Sequence, residues 1–227
     1  MKMSKSSQRS LFKEFPTLLV IALVFSVVIK TFLIQFFYIP SGSMENTLQI
    51  NDRVAVNKFG NFFGDVERGE IVVFRDTAGW LPADFSEPGG SIGDRFKSAL
   101  VFVGILPDPA KQYLIKRVVR IGGDRVLCCD DDDKLTINGE AIDEPYLYPG
   151  DKSSNSSFDV TVPDGFIWVM GDHRGASADS RFNTDDANKG FVPLSAVTGR
   201  AFAIVWPFKN MSYLSNFNSL QSEKKSG

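Results

Sequence analysis

Tyr113-Leu114-Ile115-Lys116-Arg117-Val118-Val119-Arg120-Ile121 reads as one long β-strand, whose successive side chains point to opposite faces of a sheet. Lys116 and Arg117 therefore face apart. Shorter runs of the same character lie at Phe36 to Ile39, Arg53 to Asn57, Glu70 to Phe74 and Phe166 to Met170. Val, Ile and Phe recurring in short runs between turn signals predict a mainly β body. Asn138-Gly139, the strongest short-range hairpin signal, marks a second, smaller β piece over residues 126–162.

A chain of 227 residues, 43% hydrophobic, supports one globular body with a membrane segment, not two large domains. A formal net charge of -2 and the lack of a long basic stripe exclude nucleic acid as a partner. Cys128 and Cys129 are neighbours in a chain with one histidine, so they cannot build a conventional zinc site, and neither metal nor cofactor is expected. Adjacent cysteines close only a strained ring, and the pair reads as two small residues at a strand end. Asp130 to Asp133 reads as a solvated turn and Ser153 to Ser157 as a flexible loop. The polar, Gly/Pro-marked stretch between Phe74 and Tyr113 reads as a surface insertion with one short helix at Asp94 to Val103.

Lys2, Lys5, Arg9 and Lys13 precede an apolar run from Phe15 to Ile29, the pattern of a signal anchor. That run as a helix reaches only about 22 Å against a hydrocarbon core of roughly 30 Å, so the span also draws on Leu11, Phe12 and Phe32 to Ile34. Lys30 then snorkels to one interface. The basic terminus stays cytoplasmic and the body lies outside. The expected division is a cytoplasmic start at 1–13, a single transmembrane helix at 14–35, a β-rich catalytic core at 36–125 and 163–208, an inserted β subdomain at 126–162, and a polar tail at 209–227. A cleavable signal peptide is the competing account, because Ser41 and Ser43 are spaced like the -3 and -1 residues of a cleavage site. Against it, Lys30 breaks the apolar stretch, which resumes through Phe36, Phe37 and Ile39.

Ile39-Pro40-Ser41-Gly42-Ser43-Met44 places two hydroxyls and a glycine just past the anchor, where proline rigidifies the approach and glycine permits a sharp turn. A serine nucleophile needs a neighbour to take its proton. His173, beside Asp172, is one candidate base. Lys116 is the other, because burial lowers a lysine pKa from about 10.4 towards the working pH. The loop from Gly171 to Arg181 is dense in hydrogen-bonding groups: Ser177 can bond the lysine nitrogen, and Asp179 can pair with Arg117 or Arg181. The plainer readings are a serine-rich turn, an exposed lysine that deters edge aggregation, and a polar loop stapled by surface ion pairs.

Together the three segments resemble the bacterial type I signal peptidase, or leader peptidase, family. The likeness is carried by Ile39 to Met44 with Thr47-Leu48 and Asn51-Asp52-Arg53-Val54, by Lys116 to Val119 with Gly122-Gly123-Asp124, and by Gly171-Asp172 with Ser177 to Arg181. The resemblance implies Ser43 as nucleophile, Lys116 as general base, Ser177 as the group orienting the lysine, and Ser41 as a side-chain donor to the oxyanion beside the Ser43 N–H. It implies that Asp179, Arg117 and Arg181 hold the site by ion pairing. It also implies that Phe37, Ile39, Met44 and Ile115 line shallow pockets for small -1 and -3 side chains, with the substrate bound as an added strand. The implied partners are secretory preproteins, the lipid bilayer and a secretion translocon, at the cell membrane. His173 stands where many family members have asparagine, and reads as a substitution for a structural asparagine. Two alternatives remain: a Ser-His hydrolase using His173, and a non-catalytic membrane-anchored β domain that binds extended peptides.

Overall fold

The structure, a computed structural model, describes residues 14–25, 33–58, 66–81 and 112–215. The body is mainly β, as expected. The large sheet comprises β1 (Ile34–Tyr38), β2 (Arg53–Asn57), β3 (Ile71–Arg75), β4 (Tyr113–Ile121), β9 (Phe166–Met170), β10 (Val192–Pro193), β11 (Val197–Trp206) and β12 (Ser212–Tyr213). Its order is β1-β2-β11-β3-β4-β9-β10, with β12 added to β11 and every described pairing antiparallel. A second antiparallel sheet runs β7-β6-β5-β8, from Glu140–Ala141, Leu135–Ile137, Arg125–Cys128 and Phe158–Thr161. The β6–β7 turn is Asn138-Gly139, both at positive φ, the conformation such a two-residue turn demands.

Three apolar clusters join these layers. Phe37, Ile39, Met44 and Leu48 pack with Val54, Val56, Ile71, Val73 and Ile204. Leu114 and Val118 of β4 pack with Val72, Phe74, Ile167 and Val169. The second sheet closes on the first through Val126, Leu135, Ile137 and Tyr146, which meet Val119, Trp168 and Met170.

Several expectations change. Strand β1 begins at Ile34, and Gln35 is buried, so these residues pair with Asn57 and Val56 of β2 and are not the end of a span reaching 35. The longest strand, β11, sits between β2 and β3 and was not foreseen. Its Gly199, Ala201 and Ala203 carry little strand signal, yet smallness is what the position requires, since a Cβ on Gly199 would collide with the Asn57 carbonyl. The polar tail starts later than 209, because Ser212 and Tyr213 form β12. Ser153 and Ser154 are buried, not a free loop: Ser153 O accepts from Arg174, and Ser154 Oγ from Arg181 Nη1 at 3.3 Å. Cys128 and Cys129, at the end of β5, are joined to each other as a disulfide. The expected helix at Asp94 to Val103, the cytoplasmic start and Lys30 lie outside the described residues. Residues 14–25 are helical, but no helix among the described residues is long and apolar enough to cross a membrane.

Candidate active site

The turn carrying Ser43 follows from its neighbours. Glu45 N donates to Gly42 O and Leu48 N to Met44 O, while Met44 and Leu48 are fully buried. Two apolar anchors thus fix the turn from within, and Ser43 is left 7% exposed. No described residue accepts a hydrogen bond from its N–H. Lys116 reaches it from β4: Lys116 Nζ lies 2.7 Å from Ser43 Oγ and donates to it. Across the ladder Lys116 faces Val72, and Leu114 and Val118 are its same-face neighbours along the strand. All three are buried, so the ammonium finds little solvation there. Burial lowers the Lys116 pKa to about 8, against the opposing pull of the Asp179 and Asp172 carboxylates, with Arg181 adding to the lowering.

The 171–181 segment packs against this pair. Gly171 N and Arg181 Nη2 both donate to Asp179 Oδ2 at 2.9 Å, and Arg181 Nε donates to Oδ1 at 2.8 Å. This is a bidentate, fully buried ion pair. Ser177 Oγ is buried with no hydrogen-bond partner among the described residues. It lies beside Gly171, where a Cβ would collide with both Ser177 Oγ and the Ser43 carbonyl oxygen. Glycine at 171 is what lets the two serines share one site. Gly171→Ala is expected to cost about 1–3 kcal/mol through overpacking. Urea denaturation checks this, and wild-type stability would refute the close approach.

Ser43, Ser177 and Asp179 thus meet at Gly171, with Lys116 joined through Ser43 and Arg181 through Asp179, and no hydrogen bond links Ser177 to Lys116 among the described residues. Ser41 is exposed and forms no hydrogen bond with a described residue. Phe37, Ile39 and Met44 are packed inside an apolar cluster, and of the four expected pocket residues only Ile115 is partly exposed. An open apolar groove of about 440 Å³ does exist, but Ile34, Phe36, Ala203 and Tyr213 line it, and none of these was expected at the site.

Of the two partners expected for Asp179, Arg181 is the one that binds it. Arg117 Nε and Nη2 bind Asp172, its Nη1 donates to Gly69 O at 2.7 Å, and its guanidinium stacks 4.2 Å over the Tyr146 ring. The β4–β9 register explains the choice. Arg117 faces Met170, so Asp172, two residues beyond the strand end, falls within reach. Thr47, marked in the sequence only as part of the nucleophile segment, donates its hydroxyl to Asp172; sequence reasoning missed the buried pair of Arg174 and Glu144 that ties the site loop to the connection between β7 and β8. A cation and a carboxylate so far apart in sequence carry no local mark of their pairing.

With Asp172 engaged by Arg117, a Ser-His-Asp triad finds no support. The His173 ring faces the Gly42 carbonyl and Glu45, and no bond joins it to Ser43 Oγ or Asp172 among the described residues.

The family described as signal peptidase, peptidase S26, matches residues 12–206. A signal peptidase I from Mycobacterium tuberculosis is 38% identical over 237 residues, covering 96% of this chain and 80% of its own length. A probable signal peptidase I from Mycobacterium leprae is 37% identical, with coverage of 97% and 85%. A solved signal peptidase I from Enterococcus faecalis is 24% identical over 60% of this chain and 96% of its own, with a TM-score of 0.36, too distant a superposition to bear on the fold. The chain belongs to the signal peptidase family, peptidase S26. It is an enzyme, a serine endopeptidase.

Proposed function

We propose that this endopeptidase removes signal peptides from secretory preproteins, cutting after small residues at -3 and -1, with Ser43 as nucleophile and Lys116 as base. The observation that carries the reading is the buried 2.7 Å contact between Lys116 Nζ and Ser43 Oγ. With the amine neutral, its lone pair takes the hydroxyl proton as Oγ bonds to the scissile carbonyl carbon. The oxyanion meets the Ser43 N–H, with the Ser41 hydroxyl turning in as a second donor. The Lys116 ammonium returns its proton to the departing amine as the C–N bond breaks. Neutral Lys116 then activates the water that hydrolyses the acyl-enzyme. In this reading Ser177, whose buried hydroxyl has no hydrogen-bond partner among the described residues, turns to orient the lysine. Asp179 with Arg181, and Arg117 with Asp172, hold the two halves of the site. Ile115, above the buried Phe37, Ile39 and Met44, shapes a shallow apolar floor suited to small side chains, beside which the substrate adds as a strand.

The same reading places the chain in the cell membrane, its N-terminus cytoplasmic and its body outside, taking preproteins from a secretion translocon. Support comes from residues 14–25, where Phe15, Leu18, Leu19, Val20, Ile21, Leu23, Val24 and Phe25 are all more than half exposed. A helix whose apolar side chains stand this exposed is suited to lipid. Full-length protein in detergent, given a preprotein with alanine at -3 and -1, is expected to cut after -1, as read by N-terminal sequencing of the product. Binding without cleavage would instead identify a peptide-binding domain. Loss of cleavage in His173→Ala with cleavage kept in Lys116→Ala would favour the His173 hydrolase.

A further inference from the structure

The His173 ring is committed to the main chain of the nucleophile turn. Nδ1 lies 3.2 Å from Gly42 O and 3.3 Å from Glu45 Oε2. Both are acceptors, so Nδ1 carries the hydrogen. The His173 backbone N–H donates to the next carbonyl, Ser43 O, at 3.2 Å. The ring itself stacks on Tyr148, with centroids 4.0 Å apart and planes 15° from parallel, and Tyr148 N donates to Asp172 O. The side chain is thus braced from the second sheet's connection and holds the Gly42 carbonyl, while the backbone N–H of the same residue holds the next one.

The Gly42 carbonyl belongs to the same peptide unit as the Ser43 N–H. A trans peptide is planar, with C=O and N–H pointing in opposite directions. Fixing the Gly42 oxygen therefore fixes the direction of the Ser43 N–H. We propose that His173 is a positioning residue that aims the Ser43 N–H at the developing oxyanion by holding the far end of that peptide plane. The inference rests on Ser43 being the nucleophile. It makes the sole histidine a support for the oxyanion donor and not a base.

The test measures kcat and KM of the full chain in detergent on the preprotein substrate, with His173→Ala, His173→Phe and His173→Asn. Phenylalanine keeps a ring to stack on Tyr148 but has no donor. Asparagine keeps a donor near the Nδ1 position. Removing an oxyanion donor outright costs about 10²–10³ in kcat, and one merely loosened less, so His173→Ala and His173→Phe are expected to lower kcat about tenfold. KM should stay within about twofold, and His173→Asn should recover most of the loss. The inflection of the pH–rate profile should not move, because Lys116 is untouched. Wild-type kcat in His173→Phe, a loss confined to KM, or a displaced inflection would each overturn the inference. Melting temperatures taken alongside separate misfolding from a catalytic loss, and His173→Phe decides the matter if His173→Ala does not fold. Ser43→Ala in the same assay separates the two levels. If it still cleaves, the site reading itself fails. If it is dead while His173→Phe is fully active, only the role given to His173 falls.

Discussion

Lys116→Met is expected to lower cleavage by about 10³-fold or more, since a positioned base alone contributes about 10²–10⁴, and at pH 7 to make the protein more stable. Ser43→Ala should match the loss of cleavage without the gain in stability. The first half follows from the 2.7 Å contact, because methionine fills the space but cannot take a proton. The second half follows from linkage. The native Lys116 value of about 8 lies below the ordinary 10.5, so between these values the unfolded chain binds more protons and stability rises with pH. Below about 8 the whole penalty is present, on the order of 3 kcal/mol at 1.36 kcal/mol per pKa unit. Above 10.5 it is gone. Urea denaturation of wild type and Lys116→Met should therefore show a difference at pH 7 that closes as pH rises past 10. The wild-type rate should climb with pH and level off above about 8, where the amine is neutral. Cleavage that persists in Lys116→Met, or a stability difference that does not vary with pH, would sink the account of a desolvated base.

Arg117→Met is expected to cost about 3–5 kcal/mol, the usual result of stranding one partner of a buried ion pair. Neither Arg117 nor Asp172 has any exposed side chain. Among the described residues, loss of the guanidinium leaves Asp172 with only the Thr47 hydroxyl as a side-chain donor, and it removes the stacking on Tyr146 and a donor to Gly69 O. Arg117→Lys should recover little, because an ammonium cannot serve Asp172 bidentately, reach Gly69 and stack on a ring together. The double variant Arg117→Met/Asp172→Asn should cost clearly less than the sum of the two singles, since the stranded charge is then removed. Denaturant melts of the four proteins make the cycle, and strict additivity would show that the pair is not coupled. Activity should fall with stability in Arg117→Met, because Asp172 immediately precedes His173 and the site loop.

The strand from Tyr113 to Ile121 and the Asn138-Gly139 turn are local events, set by side-chain periodicity and by residues that tolerate positive φ, and so were legible from the chain alone. The choice of Ser43, Lys116 and Ser177 came from the resemblance of three short segments to a family, since the residues by themselves left both Lys116 and His173 open as the base. Arg117 could not be matched to Asp172 in advance, since an ion pair depends on which residues the β4–β9 register sets side by side. Strand β11 stayed hidden because its centre is built of small residues, whose value lies in how closely β2 can approach. The burial of Ser153 and Ser154 depends on the reach of Arg174 and Arg181 from a distant loop. Periodicity and turn chemistry act within a few residues, whereas desolvation and charge pairing act across space, and only the folded chain brings Lys116 to Ser43 and removes water from both.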